Sequence, residues 1–139
     1  MELTVAQTIL QAALTYAAEQ GFKPMAVSVI DARGALKVFA AQDGTSLKRA
    51  EIALGKANGA IALGMGSRSL MKRAESQGYF ITAATAAIGG SLVPVPGGVL
   101  IKSNGAVIGA VGISGDTSDN DEAAAIAAIT AAGFEADAG

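Results

Sequence analysis

The chain has 139 residues and a net charge of −2, and it contains neither histidine nor cysteine. Its length fits a single domain over residues 1–139 with a real hydrophobic core. The missing residue types exclude disulfides, thiolate ligands and the Ser-His-Asp triad, so we expect no metal site. Because the small acidic charge comes without a basic cluster, neither nucleic acid nor an anionic membrane is an expected partner.

The N-terminal part of the chain predicts a helix followed by a hairpin. The stretch LTVAQTILQAALTYAAEQGF has apolar residues at helical spacing, a capping-box pattern that begins at Thr4, and a stop signal at Gly21. Two strand-like segments follow, Met25–Ile30 and Ala35–Ala40, and they flank a tight turn at 31–34.

The middle of the chain predicts two more helices and then becomes difficult to assign. A helix is expected over Leu47–Leu63 with Ser46 as its cap, and its alanine-rich face suits close packing on a sheet. Ser67 begins a shorter helix. Residues 76–96 fit either a strand or an irregular packed segment, because FITAATAAIGG is ambiguous and VPVPGG cannot be helical.

The C-terminal part predicts a second hairpin and a last helix. Val99–Lys102 and Ala106–Ile113 flank a Ser-Asn-Gly turn at 103–105. The helix is expected over Asp119–Ala132, with an approximate capping box that begins at Ser118. Because strands and helices do not alternate regularly, this order favours an α+β domain, an antiparallel sheet with helices packed around it.

Three glycines at a spacing of three, Gly109, Gly112 and Gly115, precede the last helix and raise the question of a phosphate loop. No lysine follows them as a Walker loop requires, and their spacing is not that of a dinucleotide-binding loop. The better interpretation is close approach, because a missing side chain lets a helix, a second subunit or a flat ligand come near the backbone.

Lys56 is the leading candidate for chemistry. It lies in the middle of the second helix beside an apolar face, where desolvation could lower its pKa toward use as a base or a Schiff-base amine. The alternative is that its amine reaches solvent. Asp43 and Asp121 are its candidate partners, although Asp43 fits a turn that bonds its own backbone and Asp121 fits a simple helix N-terminal charge.

Two arginines on the predicted helices, Arg49 and Arg68, offer a second kind of chemistry. A guanidinium can hold a carboxylate through two parallel hydrogen bonds. The alternative is that both arginines lie on solvated helix faces.

The composition also predicts self-association and a location. Apolar residues make up 51% of the chain and charged residues only 16%. Monomers rarely expose large apolar patches, so we expect a homo-oligomer. The segment MELTVAQTIL lacks the positive region of a signal peptide and no run of eighteen apolar residues exists, so we expect a cytoplasmic protein.

Three segments together resemble the GlcG/HbpS family, which includes the C-terminal domain of PduO-type proteins. They are VSVIDARGAL, AAQDGTSLKRAEIALGKANGA and PVPGGVLIKSNGAVIGAVGISGDTSDNDEAAA, and the similarity covers about residues 3–132. The last segment is the most specific, because it follows the family's order of glycine, turn and acidic motifs. Its motif positions are Gly97, Gly98, Gly105, Gly109, Ala110, Gly112, Ser114, Gly115, Asp121 and Glu122.

The resemblance implies a profilin-like fold with a sheet of about five strands, and homo-oligomers from dimers up to octamers. It implies activity only loosely, since some members bind haem and others belong to glycolate, propanediol or corrinoid metabolism. Haem is therefore a candidate ligand, yet the chain lacks the histidine and cysteine that commonly hold its iron. The remaining side chains that could ligate iron are Met65, Met71, Tyr16, Tyr79 and Lys56.

Three functions remain open from the sequence. The first is a protein that binds a small organic ligand between the Lys56 helix and the second hairpin, where amine, hydroxyl and backbone N–H groups would hold carboxylate or carbonyl oxygens. The second is an enzyme for a small oxo- or hydroxy-acid, with Lys56 as base or Schiff-base amine. The third is an accessory structural subunit, marked by an exposed Lys56 and no enclosed pocket. The ligand-binding candidates are Lys56, Gly97, Gly98, Gly109, Ser114 and Gly115.

Overall fold

One antiparallel sheet of five strands, in the order β2-β1-β4-β3-β5, organises the protein, described by a computed structural model over residues 1–139. Helices pack on both faces of this sheet, so the α+β prediction is confirmed. None of the helices combines the length and apolarity needed to cross a bilayer. The elements are α1 Leu3–Glu19, β1 Ala26–Asp31, β2 Leu36–Ala41, α2 Arg49–Leu63, α3 Ser67–Ser76, α4 Gly78–Ala87, β3 Gly98–Ser103, β4 Ala106–Ser114, α5 Ser118–Ala131 and β5 Glu135–Asp137.

The core lies in two layers because neighbouring side chains on a strand point to opposite faces. Val27 and Val29 of β1 belong to the layer that α1 and α5 cover, whereas Ile30 packs with alanines of α2 on the other face. All six residues of β1 are buried, as expected for a strand with partners on both sides and helices on both faces.

The helix α2 lies unusually close to the sheet, and glycine makes this possible. A Cβ atom added to Gly112 would lie 1.9 Å from the carbonyl oxygen of Ala53, and one added to Gly98 would lie 2.3 Å from that of Lys56. A side chain at either position would therefore force the helix away. The interpretation that these glycines permit close backbone approach is confirmed.

Both predicted hairpins are present, and their turns are held as the sequence suggests. The Asp31 carboxylate accepts hydrogen bonds from the backbone N–H groups of Arg33 and Ala35, at 2.9 and 3.0 Å. These bonds stabilise the charged form and lower the pKa of Asp31. In the second turn, Asn104 and Gly105 adopt left-handed conformations with φ of 51° and 77°.

Residues 78–87 form the helix α4, a segment for which the sequence left a strand or an irregular path open. The buried positions Ile81 and Ala84 are three residues apart, as one helix face requires. Ile81 packs with Leu70 of α3 and Leu92 in a small separate cluster. The short edge strand β5 was not predicted, because its three residues are mostly polar and its pairing with β3 is a long-range contact.

The predicted helix starts are displaced by one or two residues. In α1 the cap position is Glu2 without a side-chain bond, so Thr4 lies inside the first turn. The helix α2 begins at Arg49 rather than Leu47, and neither Ser46 nor its neighbours cap it through a side chain. The helix α5 is capped by Thr117, whose hydroxyl oxygen accepts from the backbone N–H of Asn120 at 3.2 Å, instead of by Ser118.

The close packing of α2 gives a direct test. We expect Gly112→Ala to lower the free energy of unfolding by about 1–3 kcal/mol or more, because its Cβ would collide with a backbone oxygen that cannot rotate away. Urea denaturation measures the loss. Gly78→Ala is the matched control: a Cβ there meets no atom within 4 Å, so stability should stay equal or rise. Equal stability of the two variants would contradict this account of the α2 contact.

Candidate functional site

A buried ion pair joins three elements at one end of the sheet. The Nζ atom of Lys56, in the middle of α2, lies 3.1 Å from Oδ2 of Asp121 in the first turn of α5. The same Nζ donates to the carbonyl oxygen of Ile113 in β4 at 2.8 Å. Lys56 is 2% exposed and Asp121 1% exposed. The lysine is therefore enclosed, and the alternative in which its amine reaches solvent is wrong.

The second oxygen of Asp121 fastens the loop between β4 and α5. Oδ1 accepts from the backbone N–H of Asp116 at 3.0 Å. Burial lowers the pKa of the Lys56 amine and raises the pKa of Asp121, while their mutual attraction opposes both shifts. Asp121 is therefore more than a helix N-terminal charge, because it also neutralises the buried lysine.

Two consecutive glycines make room for the lysine side chain. A Cβ on Gly97 would lie 2.9 Å from the Lys56 Nζ and 2.6 Å from the Ile113 carbonyl oxygen, and Gly97 adopts φ of 123°, which disfavours any other residue. The backbone N–H of Gly98 donates to the hydroxyl of Ser67 at 2.7 Å. The Gly-Gly motif therefore shapes the lysine's channel and secures β3 to the start of α3.

A cavity of about 350 Å³ opens beside the ion pair, between α2, the end of β4 and the start of α5. Lys56 and Asp121 lie in its wall, and the guanidinium of Arg49 donates to the hydroxyl oxygen of Ser114 at 3.0 Å beside them. The remaining lining residues are Ile52, Val93, Val95, Asp116 and Ser118.

Most, but not all, of the residues that the sequence suggested come together here. Lys56, Ser114 and Asp121 line the cavity, and the two glycines of the Gly-Gly motif lie directly behind the lysine. Gly115 is in the adjoining loop, where a Cβ would lie 2.2 Å from the carbonyl oxygen of Pro24.

Two candidates lie elsewhere. Gly109 lies where the pairing of β4 with β1 ends, opposite Asp31 and Ile101, and it leaves space for the Ile30 carbonyl and the Met1 side chain. Asp43 is exposed in the loop between β2 and α2 and does not line the cavity, so the structure does not bring it to Lys56.

The sequence did not identify the apolar wall of the cavity. Val93 and Val95 belong to the segment that had no assignable structure. The backbone N–H of Val93 donates to the Gly55 carbonyl at 3.1 Å, which holds this segment against α2. The proline and glycine residues of the segment were the only signal in the sequence for an ordered, non-helical wall.

The two arginines differ in their partners. Arg68 binds carboxylates of its own chain, with its Nε atom 2.9 Å from an oxygen of Glu122 and a further ion pair to Asp119. These partners raise the pKa of Arg68. Arg49, in contrast, has no carboxylate within ion-pair distance, and its charge is directed toward the cavity.

The family model described as "Haem degrading protein HbpS-like" matches residues 1–130. A crystal structure of a PduOC–haem complex shares 26% identity and a TM-score of 0.86, covering 96% of each chain. The Klebsiella pneumoniae protein ORFY shares 25% identity and a TM-score of 0.85, covering 95% of this chain and 90% of that one. HbpS shares 25% identity and a TM-score of 0.82, covering 94% and 89%.

The chain therefore belongs to the HbpS-like family, and the resemblance stated from its motifs is confirmed. Its fold is that of the solved haem-binding relative over nearly the whole chain. A search of curated proteins finds no significant match.

Few side chains here suit haem iron. The cavity beside Lys56 contains no methionine or tyrosine, and the Lys56 amine is already bound to Asp121. No group of acidic residues could hold a metal ion either. Tyr16 is the one alternative ligand that lines a sizeable hollow, a groove of about 470 Å³ between α1 and α5. A tyrosine phenolate can ligate haem iron, so Tyr16 fits this role chemically.

Removing one member of the ion pair tests its structural role. We expect Lys56→Met to lower the free energy of unfolding by roughly 3–5 kcal/mol at pH 7, because the Asp121 charge is left buried without a partner. The double variant Lys56→Met/Asp121→Asn should recover at least half of that loss, as measured by urea denaturation.

The pH dependence of the single variant has a definite sign. Without the lysine, no opposite charge counters the effect of burial, so the pKa of Asp121 rises further above that of the unfolded chain. The folded state then binds more protons than the unfolded state. The deficit, which is the loss in free energy of unfolding relative to the wild type, should therefore shrink as pH falls from 7 toward 4. A deficit that is constant over this range would contradict the assignment of Asp121 as the unpaired group.

Proposed function

We propose that this protein is a homo-oligomeric binder of a small organic ligand, and that the ligand occupies the cavity beside the Lys56–Asp121 pair. The observation that carries the proposal is the cavity itself: about 350 Å³ between the Lys56 helix and the second hairpin, with polar and apolar walls. Ligand sites are typically concave, with a few placed polar groups among apolar ones. Family membership supports the same class of function.

Within this proposal the candidate residues have different roles. Ser114 and Lys56 form part of the wall, with Asp121 holding the lysine in place. Gly97 and Gly98 act indirectly, because they let the lysine chain pass close to the sheet. Gly115 shapes the adjoining loop, because its missing side chain lets the backbone pass close to the Pro24 carbonyl.

The enzyme alternative finds less support in this geometry. A Schiff-base amine or general base must present a free lone pair to its substrate. The Lys56 Nζ instead donates to Ile113 and Asp121 and is enclosed by the glycine backbone. The accessory-subunit alternative also fits poorly, since it requires an exposed Lys56 and no pocket.

Haem is a second candidate ligand, and one observation supports a binding place for it outside the Lys56 cavity. A relative of 26% identity was solved as a haem complex, and Tyr16 lines the groove between α1 and α5. We propose this groove, rather than the Lys56 cavity, as the place for haem. If haem were bound here, it would supply an iron centre for redox or oxygen chemistry, and the Tyr16 phenolate would be the group that holds it.

The oligomer and the location remain proposals as well. Large apolar side chains are exposed at Leu36 (52%), Phe39 (41%) and Leu47 (87%), which supports burial against further copies of the chain. An assembly between a dimer and an octamer in the cytoplasm is our expectation. Light scattering and cell fractionation would measure the two properties.

Filling the cavity tests the main proposal. A panel of organic acids, alcohols, amides and tetrapyrroles is screened by thermal shift against the wild type and Val95→Trp. We expect at least one compound to stabilise the wild type and to lose at least tenfold in affinity with the filled cavity, since the indole would occupy its space. Val107→Trp, on the exposed part of β4, is the control and should keep the affinity. Compounds that bind the wild type and Val95→Trp with equal affinity would contradict this location.

The proposal that haem binds beside Tyr16 is tested by titration with haemin. We expect a saturable Soret shift for the wild type and at least tenfold weaker binding for Tyr16→Phe, which removes only the phenolic oxygen. Tyr79→Phe is the matched control, because Tyr79 is 75% exposed on α4. The absence of saturable binding, or equal binding by Tyr16→Phe, would remove Tyr16 as the haem ligand.

A further inference from the structure

We infer that the cavity recognises the carboxylate of a small aliphatic acid, and that Arg49 with Ser114, rather than Lys56, is its anchor. This inference rests on the proposed function that the cavity binds a ligand. It adds the chemical class of that ligand and moves the recognition from the residue that the sequence favoured to a neighbouring one.

The first observation is the free hydrogen-bonding capacity of Arg49. Its Nε donates to the Ser46 hydroxyl at 3.2 Å and its Nη1 to the Ser114 hydroxyl at 3.0 Å. These neutral partners orient the guanidinium without neutralising it. The Nη2 group has no acceptor in the protein, and a guanidinium offers two parallel N–H groups that match a carboxylate.

The second observation is the hydroxyl of Ser114. The residue is fully buried, and its oxygen accepts from Arg49, whereas its hydrogen has no acceptor in the protein. The hydroxyl can therefore still donate one hydrogen bond into the cavity, to an acceptor that a ligand would supply. A carboxylate that bridges Arg49 and Ser114 would supply it.

The acidic side chains of the wall do not prevent this. Asp121 is neutralised by Lys56. The Asp116 carboxylate accepts from the backbone N–H groups of Lys23 and Thr117, each at 2.7 Å, and from the Asn120 amide at 2.8 Å. Both acids therefore have their own donors, and Arg49 is the cation in the wall without a carboxylate.

The rest of the wall suggests the body of the ligand. Ile52, Val93 and Val95 present only carbon atoms from their side chains. A carboxylate at Arg49 places an attached alkyl chain against this apolar side, where burial is favourable. A polyanion such as a phosphate ester would find a single free cation here, so a monocarboxylic acid of a few carbons is the better match.

The test compares an acid with its isosteric neutral amide. Butyrate and butyramide are titrated separately into ¹⁵N-labelled wild type, with the signals of Ser114 and the Arg49 Nε followed by NMR. We expect saturable shifts with butyrate and at least tenfold weaker binding of butyramide. Arg49→Gln should lower the affinity for butyrate at least tenfold. Arg49→Lys should keep only part of the wild-type affinity, because a lysine lacks the planar fork.

The control variant is Arg33→Gln, which removes the same charge from an arginine that is 84% exposed and far along the sheet. Its affinity for butyrate should stay within twofold of the wild type. Ser114→Ala provides a second test that does not depend on the fold of the Arg49 variant, and it should also weaken butyrate several-fold. Thermal melts verify that each variant is folded.

Three outcomes would overturn the inference. The first is equal affinity of wild type and Arg49→Gln for butyrate, and the second is equal affinity of the wild type for butyrate and butyramide. The third is no saturable shift with butyrate, valerate or hexanoate up to 50 mM, a range chosen to cover weak millimolar binding. If a neutral compound still binds the wild type and Val95→Trp blocks that binding, the proposed function is supported. Carboxylate recognition by Arg49 is then wrong.

Discussion

The buried pair of Lys56 and Asp121 is the constraint on which the functional end of this protein depends. Two opposite charges can be enclosed only if each is matched in position and hydrogen bonding. The lysine meets the carbonyl of Ile113 as well as the acid, and the acid also holds the backbone of Asp116. One interaction therefore aligns α2, the end of β4 and the start of α5. The glycine and acidic motifs of the family meet at this interaction, because Asp121 binds the lysine and Gly97 must lack a side chain where the lysine passes.

This arrangement also determines which groups remain for a ligand. A lysine that neutralises a buried acid has little capacity left for a substrate, so the chemistry of the cavity falls to its neighbours. Arg49 retains unpaired N–H groups, Ser114 retains a hydroxyl hydrogen, and the apolar wall beside them is ordered by the bond from Val93 to α2. The ion pair thus serves as scaffold, and in the function that we propose the adjacent arginine provides the recognition.

Local sequence signals predicted much of the fold but failed where tertiary contacts override them. The two hairpins and the helices α1, α2, α3 and α5 follow from apolar spacing and from turn residues whose conformations are local. The helix α4 could not be assigned, because its alanines and threonines fit either periodicity until Ile81 finds Leu70 and Leu92. In the site, Lys56 was selected because it lies beside the apolar face of a predicted helix, and Ser114 because it is a position of the family motif. Asp43 was also selected, although it lies exposed in a loop away from them.

The sequence by itself determined the α+β class, the hairpins and the family, because these depend on short-range periodicity and on a long glycine-rich motif. It also excluded histidine and cysteine chemistry outright. Only the tertiary structure decided which acid meets the lysine, 65 residues away along the chain, and which arginine stays unpaired. Arg49 and Arg68 look alike in the sequence. Their difference arises because α5 presents Asp119 and Glu122 to Arg68, whereas only the hydroxyls of Ser46 and Ser114 reach Arg49.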